Sequence, residues 1–408
     1  MRMRQQDLWH YPEFVKLWIG ATISDLGSQV SFIALALTAT VYLHATPLAL
    51  GFLAAARAIP PLLIGLAAGA WVDRLPRRPV LIAADLIRAA LLVSVPVAAF
   101  VGWLRIEHLL IVAVLMGVVE PFPAVAVQAF LRTLIRPERI LEATSKLSLS
   151  FSATLIAGPA VGGVLIQWLT APGAIIADVV SYLLSALFMA SIHARERIAP
   201  RPERQPRLWD EINEGLHVVQ RATLLRVSVG TAAWSVLFDN LAWPAYLLLL
   251  TRQLALSPAL LGMIFGAAGP GYLVGTLLAR PATRRLGRGK AIAGALFVSG
   301  IGSLVVPLIY GRWIVIVVLL ITVNFVKAMA ASVYLINRTS LTTAITPDDV
   351  QGRVASVVLV VSWGAAASGL FSGGLLTTWL GARPVLLIGG GGLVLTSAWA
   401  ACSLLRAT

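Results

Sequence analysis

Asp25, Arg57, Glu120, Asp239 and Lys327 each stand inside a long apolar run of the sequence. An ionisable group at the centre of a bilayer costs roughly 2.5–3.5 kcal/mol on insertion scales, so each must be offset by a partner, by water or by a function. A carboxylate in such a place is suited to taking up and releasing a proton, and a lysine or arginine to neutralising an acid or holding an anionic group. Glu120 is followed by Pro121 and Pro123 in "LMGVVEPFPAVAVQ". Proline loosens a helix, and the carbonyls it frees inside a membrane must face protein or water. Two readings of Glu120 stay open, proton coupling and a buried structural bridge to Arg57. Asp25 and Asp239 either handle protons or substrate or pair helices, and Lys327 is a counter-charge or a substrate anchor.

Helical spacing groups these residues with other polar ones. Ser228, Thr231, Ser235 and Asp239 fall on one face, with Asn240 beside them; Thr22, Asp25 and Gln29 repeat the pattern, and Asn324, Lys327 and Tyr334 share a third face. Gly117 and Ala124 flank Glu120 at helical spacing and predict a hollow for its carboxylate. Asp85 and Arg88, three residues apart, read as a local pair near a helix end, and Asp178 as a helix-packing acid.

The elements that must carry these groups follow from composition. Of 408 residues, 58% are hydrophobic and 12% charged, and the mean hydropathy is +0.86. A soluble domain is nearer half apolar and a quarter charged, so the chain belongs in a bilayer. Apolar runs of helix length recur at 17–42, 48–71, 79–103, 109–131, 147–169, 173–193, 224–250, 258–279, 291–310, 313–335, 354–380 and 384–405. Each is long enough to cross a hydrocarbon core of about 30 Å, and none alternates as a barrel strand would. The expected fold is therefore all-α, with twelve transmembrane helices. Asp25, Glu120, Asp239 and Lys327 fall in spans 1, 4, 7 and 10, and Arg57 in span 2.

Only Arg105, Arg252, Arg312 and Arg383 lie in odd-numbered connections, while the other loop cations gather at the amino terminus, in or beside the even-numbered connections, and at the tail. The positive-inside rule then puts both termini in the cytoplasm of a bacterial-type plasma membrane. The first sixteen residues are polar and aromatic and do not read as a removable signal peptide. The net charge of +14 follows this topology and suits anionic headgroups, so the expected partner is the lipid bilayer and no nucleic acid.

Other chemistries find little support. One cysteine, Cys402, excludes an intramolecular disulfide, and the five histidines never take a metal-binding spacing, so no metal is expected. "RLGRGKA" has Arg284 where a phosphate-binding loop needs glycine. No nucleophile, base and orienting group assemble, so an enzyme is not expected.

The sixth connection, 194–223, is the longest and divides the chain into halves, 1–193 and 224–408. Its Pro/Arg-rich start suits an extended linker, and "LWDEINEGLHVVQ" an amphipathic helix on the membrane surface. The halves repeat: "TPLALGFLAAARAIPPLL" from Thr46 aligns without gaps with "SPALLGMIFGAAGPGYLV" from Ser257 at an offset of 211. Parallel six-helix repeats build one large class of transporter, with the site between the halves near the midplane.

"GAWVDRLPRRPVL" resembles the signature loop of the major facilitator superfamily through Gly69, Asp73, Arg74, Arg77 and Arg78, with Pro76 at a usual glycine position. "SATLIAGPAVGGVL" in span 5 resembles its antiporter motif through Gly158, Pro159, Gly162 and Gly163. The order of motifs along the chain is similar to the branch of enterobactin-type siderophore exporters and macrolide efflux proteins. That resemblance implies two pseudo-symmetric six-helix bundles, a cavity lined by spans 1, 4, 7 and 10, and a gating loop that latches one membrane face. It implies a proton-coupled antiporter exporting an amphipathic small organic molecule by alternating access. The proton gradient would be its energy source, with no cofactor, and a monomer is the expected state. A facilitator or importer of a small metabolite or lipid is the alternative within the same fold, and a non-transporting membrane sensor the rival outside it.

Overall fold

The computed structural model describes residues 8–72, 74–193, 196 and 208–405. Among them every regular element is helical, and twelve helices are long and apolar enough to cross a membrane. Spans 1 to 6 are Pro12–Tyr42, Pro47–Gly65, Arg77–Phe100, Ile106–Leu134, Pro137–Leu169 and Ala171–Ala190. Spans 7 to 12 are Thr223–Gln253, Pro258–Leu286, Arg288–Leu308, Trp313–Ile345, Gln351–Leu380 and Ala382–Ser403. Pro12, Pro47, Pro137 and Pro258 each open a helix, where a missing N–H costs nothing and a fixed φ is already helical. Spans 5 and 10 run well beyond their apolar cores, because a helix continues past the hydrocarbon while its residues keep helix propensity.

The repeat is present in the backbone. Five of the six span pairs begin 211 residues apart, from Pro12 and Thr223 to Ala171 and Ala382, once the one-turn starts of spans 5 and 11 at Pro137 and Asp348 are matched. Spans 1 and 7 both end in a π-helical turn, Thr38–Tyr42 and Leu249–Gln253, each followed by a residue at positive φ, His44 (51°) and Ala255 (48°). One register difference has a clear cause. Pro76 enters span 3 with φ −63°, whereas its repeat mate Gly287 enters span 9 with φ 79°. Proline cannot reach the left-handed region and glycine can, so the two copies of this turn are built differently.

The chain forms two compact units. The first holds Met1–Leu43 and Leu63–Glu203, and the second His44–Leu62 and Arg204–Thr408, so span 2 as far as Leu62 belongs with the second unit. Inside the first, spans 1 and 3 both pack on span 6, and span 5 lies along span 1. Leu8, Phe14, Leu17, Phe130, Leu131 and Met189 close one end of this unit as a buried cluster. Inside the second, spans 7, 9 and 12 pack in the same way and span 11 lies along span 7. Ala55 and Ala58 of span 2 join Ala367 and Leu370 of span 11 there, with Phe52 edge-on to Phe371 at 4.9 Å.

Close approach of spans 1 and 5 depends on glycine. A β-carbon on Gly158 would collide with the Gln29 side chain, and one on Gly162 would lie 3.2 Å from the Val30 Cα. The second unit uses the same device: Gly369 meets span 7 at Leu237 and Asn240, and Gly373 at Leu241. Gln29 and Asn240 are repeat mates, as are Val30 and Leu241. The glycines of the span 5 motif thus let two backbones touch, which in a bilayer is a main source of helix association.

The linker helix, Leu208–Arg221, forms as expected. It packs on the start of span 11, with Glu214 paired to Arg353 and Val219 buried among Leu225, Val354 and Val357. An apolar face with a protein groove beside it has a dry partner already and does not need lipid. The Pro/Arg-rich stretch 197–207 lies outside the described residues.

Gly158→Val and Gly369→Val are each expected to lower stability by about 1–3 kcal/mol through overpacking. Gly294→Ala, where a β-carbon meets nothing within 4 Å, is expected to leave it unchanged or slightly raised. Thermal unfolding of the purified protein in detergent checks this; equal effects at all three positions would contradict it.

Candidate functional site

In the second unit, the polar faces of spans 7 and 10 meet as a ladder of side-chain pairs. Ser228 and Thr342 hydroxyls lie 2.6 Å apart, Ser235 donates to the Tyr334 hydroxyl at 3.3 Å, and Lys327 Nζ donates to Asp239 Oδ1 at 3.2 Å. Asn324 Nδ2 donates to the Tyr246 hydroxyl at 2.6 Å. Residue numbers rise along span 7 as they fall along span 10, as antiparallel neighbours require. The rung of opposite charge is asymmetric in exposure: the Asp239 side chain is 57% exposed, that of Lys327 25%. Lysine lays its aliphatic stem along the helices and presents its ammonium to an acid that remains open to other ligands.

Aromatic rings adjoin this pair. Trp243 lies one turn beyond Asp239; its ring centroid is 5.5 Å from Phe265 of span 8 and 6.4 Å from Tyr246. Tyr246 and Phe265 meet edge-on at 6.1 Å. Asn240 turns aside, giving its Nδ2 to the Val236 carbonyl of its own helix at 2.8 Å. The unit therefore gathers Asp239, Lys327 and Asn324 beside Trp243, Tyr246 and Phe265, an arrangement that can take charge, hydrogen bonds and flat apolar surface together.

The first unit distributes its charges differently. Span 4 is broken where the prolines indicated, into Ile106–Val119 and Pro121–Leu134, with Glu120 at the junction. Glu120 keeps helical dihedrals and its N–H reaches the Met116 carbonyl at 2.9 Å, so the break is a kink and not an unwinding. Glu120 itself is exposed. Arg57, which belongs to the second unit, is half-buried in span 2. Asp25 is half-buried in span 1. Gln29 rests its aliphatic part against Gly158 of span 5.

Sequence reasoning underrated Asp85 and Arg88. They pair at 2.7 Å, but they sit in the middle of span 3 and not near its end. Arg88 lies over the Tyr182 ring of span 6 at 4.5 Å, and the Tyr182 hydroxyl is 2.9 Å from that of Ser28 on span 1. Asp178, fully buried, accepts from Ser181 at 2.9 Å. The signal was present in the sequence: an acid and a base one turn apart with more than ten apolar residues following.

Of the signature loop, Asp73 lies outside the described residues, and Gly69 lies in the last turn of the helix Pro47–Val72. Arg74 is exposed in the turn that follows. Glu196 caps span 3, accepting the backbone N–H of Arg77 at 2.5 Å and of Arg78 at 2.8 Å. A carboxylate at a helix amino terminus complements both the open N–H groups and the dipole. The Arg78 guanidinium closes the other side of this junction by donating to the Met189 carbonyl at 3.0 Å and to that of Ala190, at the end of span 6. In span 5, Gly158, Pro159, Gly162 and Gly163 are all buried.

Residues 9–408 match the family described as transmembrane secretion effector, within the major facilitator superfamily. The chain belongs to this family. YfiS of Bacillus subtilis, described as an uncharacterised MFS-type transporter, is 26% identical over 381 residues, covering 90% of this chain and 88% of that one. Tap of Mycolicibacterium fortuitum, described as a multidrug efflux pump, is 27% identical over 356 residues, covering 82% and 84%. The crystal structure of the nucleoside transporter NupG superposes with a TM-score of 0.76 at 14% identity, covering 96% of this chain and 99% of that one, which shows the fold. The protein is a multi-pass membrane transporter with the all-helical, twelve-span major facilitator fold. Membership explains the duplicated backbone.

Because Asp239 is largely open, the Lys327–Asp239 pair is expected to contribute no more than ~1 kcal/mol to folding. A thermal-unfolding cycle of Asp239→Asn, Lys327→Gln and the double variant measures it. A coupling of several kcal/mol would make the pair a structural clamp.

Proposed function

We propose that the protein is a proton-coupled exporter of amphipathic small organic molecules, such as a siderophore or a drug of macrolide type, working by alternating access. The observation that carries this reading is the Lys327–Asp239 pair beside Trp243, Tyr246 and Phe265. A carboxylate held by a lysine yet more than half exposed can exchange that lysine for a proton or for a charged group of a substrate. The neighbouring rings supply apolar contact to the rest of the molecule. Lys327 then serves as counter-charge or as anchor for an anionic group. The family description and the name of Tap support the outward direction, since both concern secretion or efflux.

In this reading Glu120, with Asp25, Asp239 or both, binds protons and substrate in alternation. Moving one charge through 100 mV is worth about 2.3 kcal/mol, so a driving force of roughly 150 mV gives about 3.5 kcal/mol per proton. That supports a substrate gradient of a few hundred-fold, and the proton gradient alone is the energy source, without a cofactor. The span 5 glycines and proline supply a bent, closely packed helix of the antiporter type, and the loop with Asp73, Arg74, Arg77 and Arg78 the gate. The excess of Lys and Arg in the even-numbered connections supports a bacterial plasma membrane location with both termini in the cytoplasm. A monomer in the lipid bilayer, with protons and a small molecule as its partners and no nucleic acid, completes the proposal.

Inverted membrane vesicles containing the protein are expected to accumulate ethidium, a fluorescent amphipathic cation, when a proton gradient is imposed. Glu120→Gln is expected to abolish gradient-driven accumulation while ethidium still equilibrates down its own gradient. Unchanged accumulation in this variant would remove Glu120 from the mechanism.

A further inference from the structure

The end of span 8 and the start of span 9 carry Arg280, Arg284, Arg285, Arg288 and Lys290, five cations within eleven residues, and all five are exposed. No acid occurs in the sequence between Asp239 and Asp348. None of the five cations has a hydrogen-bond or ion-pair partner among the described residues, and the unit's Lys327–Asp239 and Arg353–Glu214 pairs lie elsewhere.

The matching turn of the first unit satisfies its charge from within the chain. At an offset of 211, Arg74 and Arg77 correspond to Arg285 and Arg288, but Gly69 corresponds to Arg280 and Asp73 to Arg284. Glu196 accepts the N–H groups of Arg77 and Arg78 at the start of span 3, and the Arg78 guanidinium donates to the Met189 and Ala190 carbonyls. The position matching Glu196 is Ala407, and residues 350–408 contain no acid. Span 9 therefore starts at Gly287 with no side-chain cap and no acid in its first turn. Arg284 and Arg285 complement the carboxyl end of span 8, whereas Arg288 and Lys290 stand at the positive end of the span 9 dipole. A topology signal alone would be served by cations anywhere in the connection. Cations at a helix amino terminus are unfavourable until an anion joins them.

Span 8 leads an apolar surface into this charge. Leu273, Leu277, Arg280 and Arg284 share one face by helical spacing, and the two leucines are 44% and 75% exposed. The face passes from hydrocarbon to guanidinium over about 16 Å. A phospholipid presents the same order, acyl chain and then phosphate.

We propose that this turn binds the phosphate headgroup of an anionic phospholipid, with an acyl chain lying along Leu273 and Leu277. The arginines take phosphate oxygens in the forked geometry that guanidinium favours, and the open N–H groups of the first turn of span 9 add to the site. A phosphate from the bilayer then does for span 9 what Glu196 does for span 3. The assignment goes beyond the exporter reading and stands or falls without it.

Native mass spectrometry of the purified, delipidated full chain tests this, with titration by dioleoyl phosphatidylglycerol, dioleoyl phosphatidylcholine or inorganic phosphate. Each cation near a membrane surface is worth about fivefold in attraction to an anionic lipid, so wild type is expected to bind its first phosphatidylglycerol at least about tenfold more tightly than phosphatidylcholine. Arg280→Gln/Arg284→Gln/Arg288→Gln is expected to lose that preference and keep the lipid-free melting temperature. Arg132→Gln/Arg136→Gln, which removes two exposed arginines at the end of span 4, is expected to keep the preference. Lys290→Glu, which gives span 9 the acid it lacks, is expected to raise the lipid-free melting temperature and weaken phosphatidylglycerol binding. Preference surviving in the triple variant, or falling equally in the two-arginine control, overturns the proposal. Inorganic phosphate binding as tightly as phosphatidylglycerol also overturns it, since the turn would then be an anion site without a lipid. A large fall in the lipid-free melting temperature of the triple variant would overturn it in favour of a structural role.

Discussion

A charge placed among hydrocarbon must find an opposite charge, a hydrogen bond or water, and the positions of the charged side chains in this protein follow from how each satisfies that demand. Lys327 finds Asp239 across from it; Arg88 finds Asp85 and the face of Tyr182; Asp178 finds Ser181. Asp239 and Glu120 are exposed from their helices, and a carboxylate exposed at membrane depth is tolerated where water or a ligand can reach it. Twelve apolar helices set the conditions under which a handful of polar residues become energetically conspicuous. Their conspicuousness is what makes them informative.

Duplication separates what the fold needs from what the protein does. The glycine seats at Gly158 and Gly162 recur at Gly369 and Gly373, meeting the matching residues of spans 1 and 7, and even the π-helical turns and positive-φ residues recur. These belong to the backbone solution. In the span pairs that share the offset the charges do not recur: Asp239 corresponds to Ser28, and the Asp85–Arg88 pair to Leu296 and Ser299. Each unit carries a different polar interior on one scaffold. The second presents its acid and lysine beside aromatic rings, and the first buries most of its charge between packed helices.

Much of this was legible in the sequence because membrane helices follow simple rules. Apolar length located twelve spans, the offset of 211 located the repeat, and Pro121 located the kink of span 4. Helical periodicity placed Ser235, Asp239, Asn324, Lys327 and Tyr334 on faces that do meet, because an antiparallel neighbour reads one face at a time. What the sequence concealed depended on partners distant along the chain. Tyr182 lies over Arg88 and Glu196 caps Arg77 and Arg78 only because span 6 returns beside span 3. The linker helix was legible as an amphipathic helix, but its pattern does not name Val354 and Val357 as the residues its Val219 packs against. Aromatic rings offered no periodic signal to join Trp243 and Phe265, which stand on different helices.

The central claim is that the polar face of span 7 opens to water at membrane depth. The chain has a single, exposed cysteine, Cys402, so a Cys402→Ala background leaves no native thiol. Cysteines placed singly at Asp239 and Trp243, and at Leu247 on a buried stretch of the same helix, can then be challenged with a membrane-impermeant thiol reagent in intact cells and in inverted vesicles. The account predicts labelling at 239 and 243 from at least one side and protection at 247. Uniform protection at 239 and 243 would place the acid and the rings in packing or in lipid, and would contradict it.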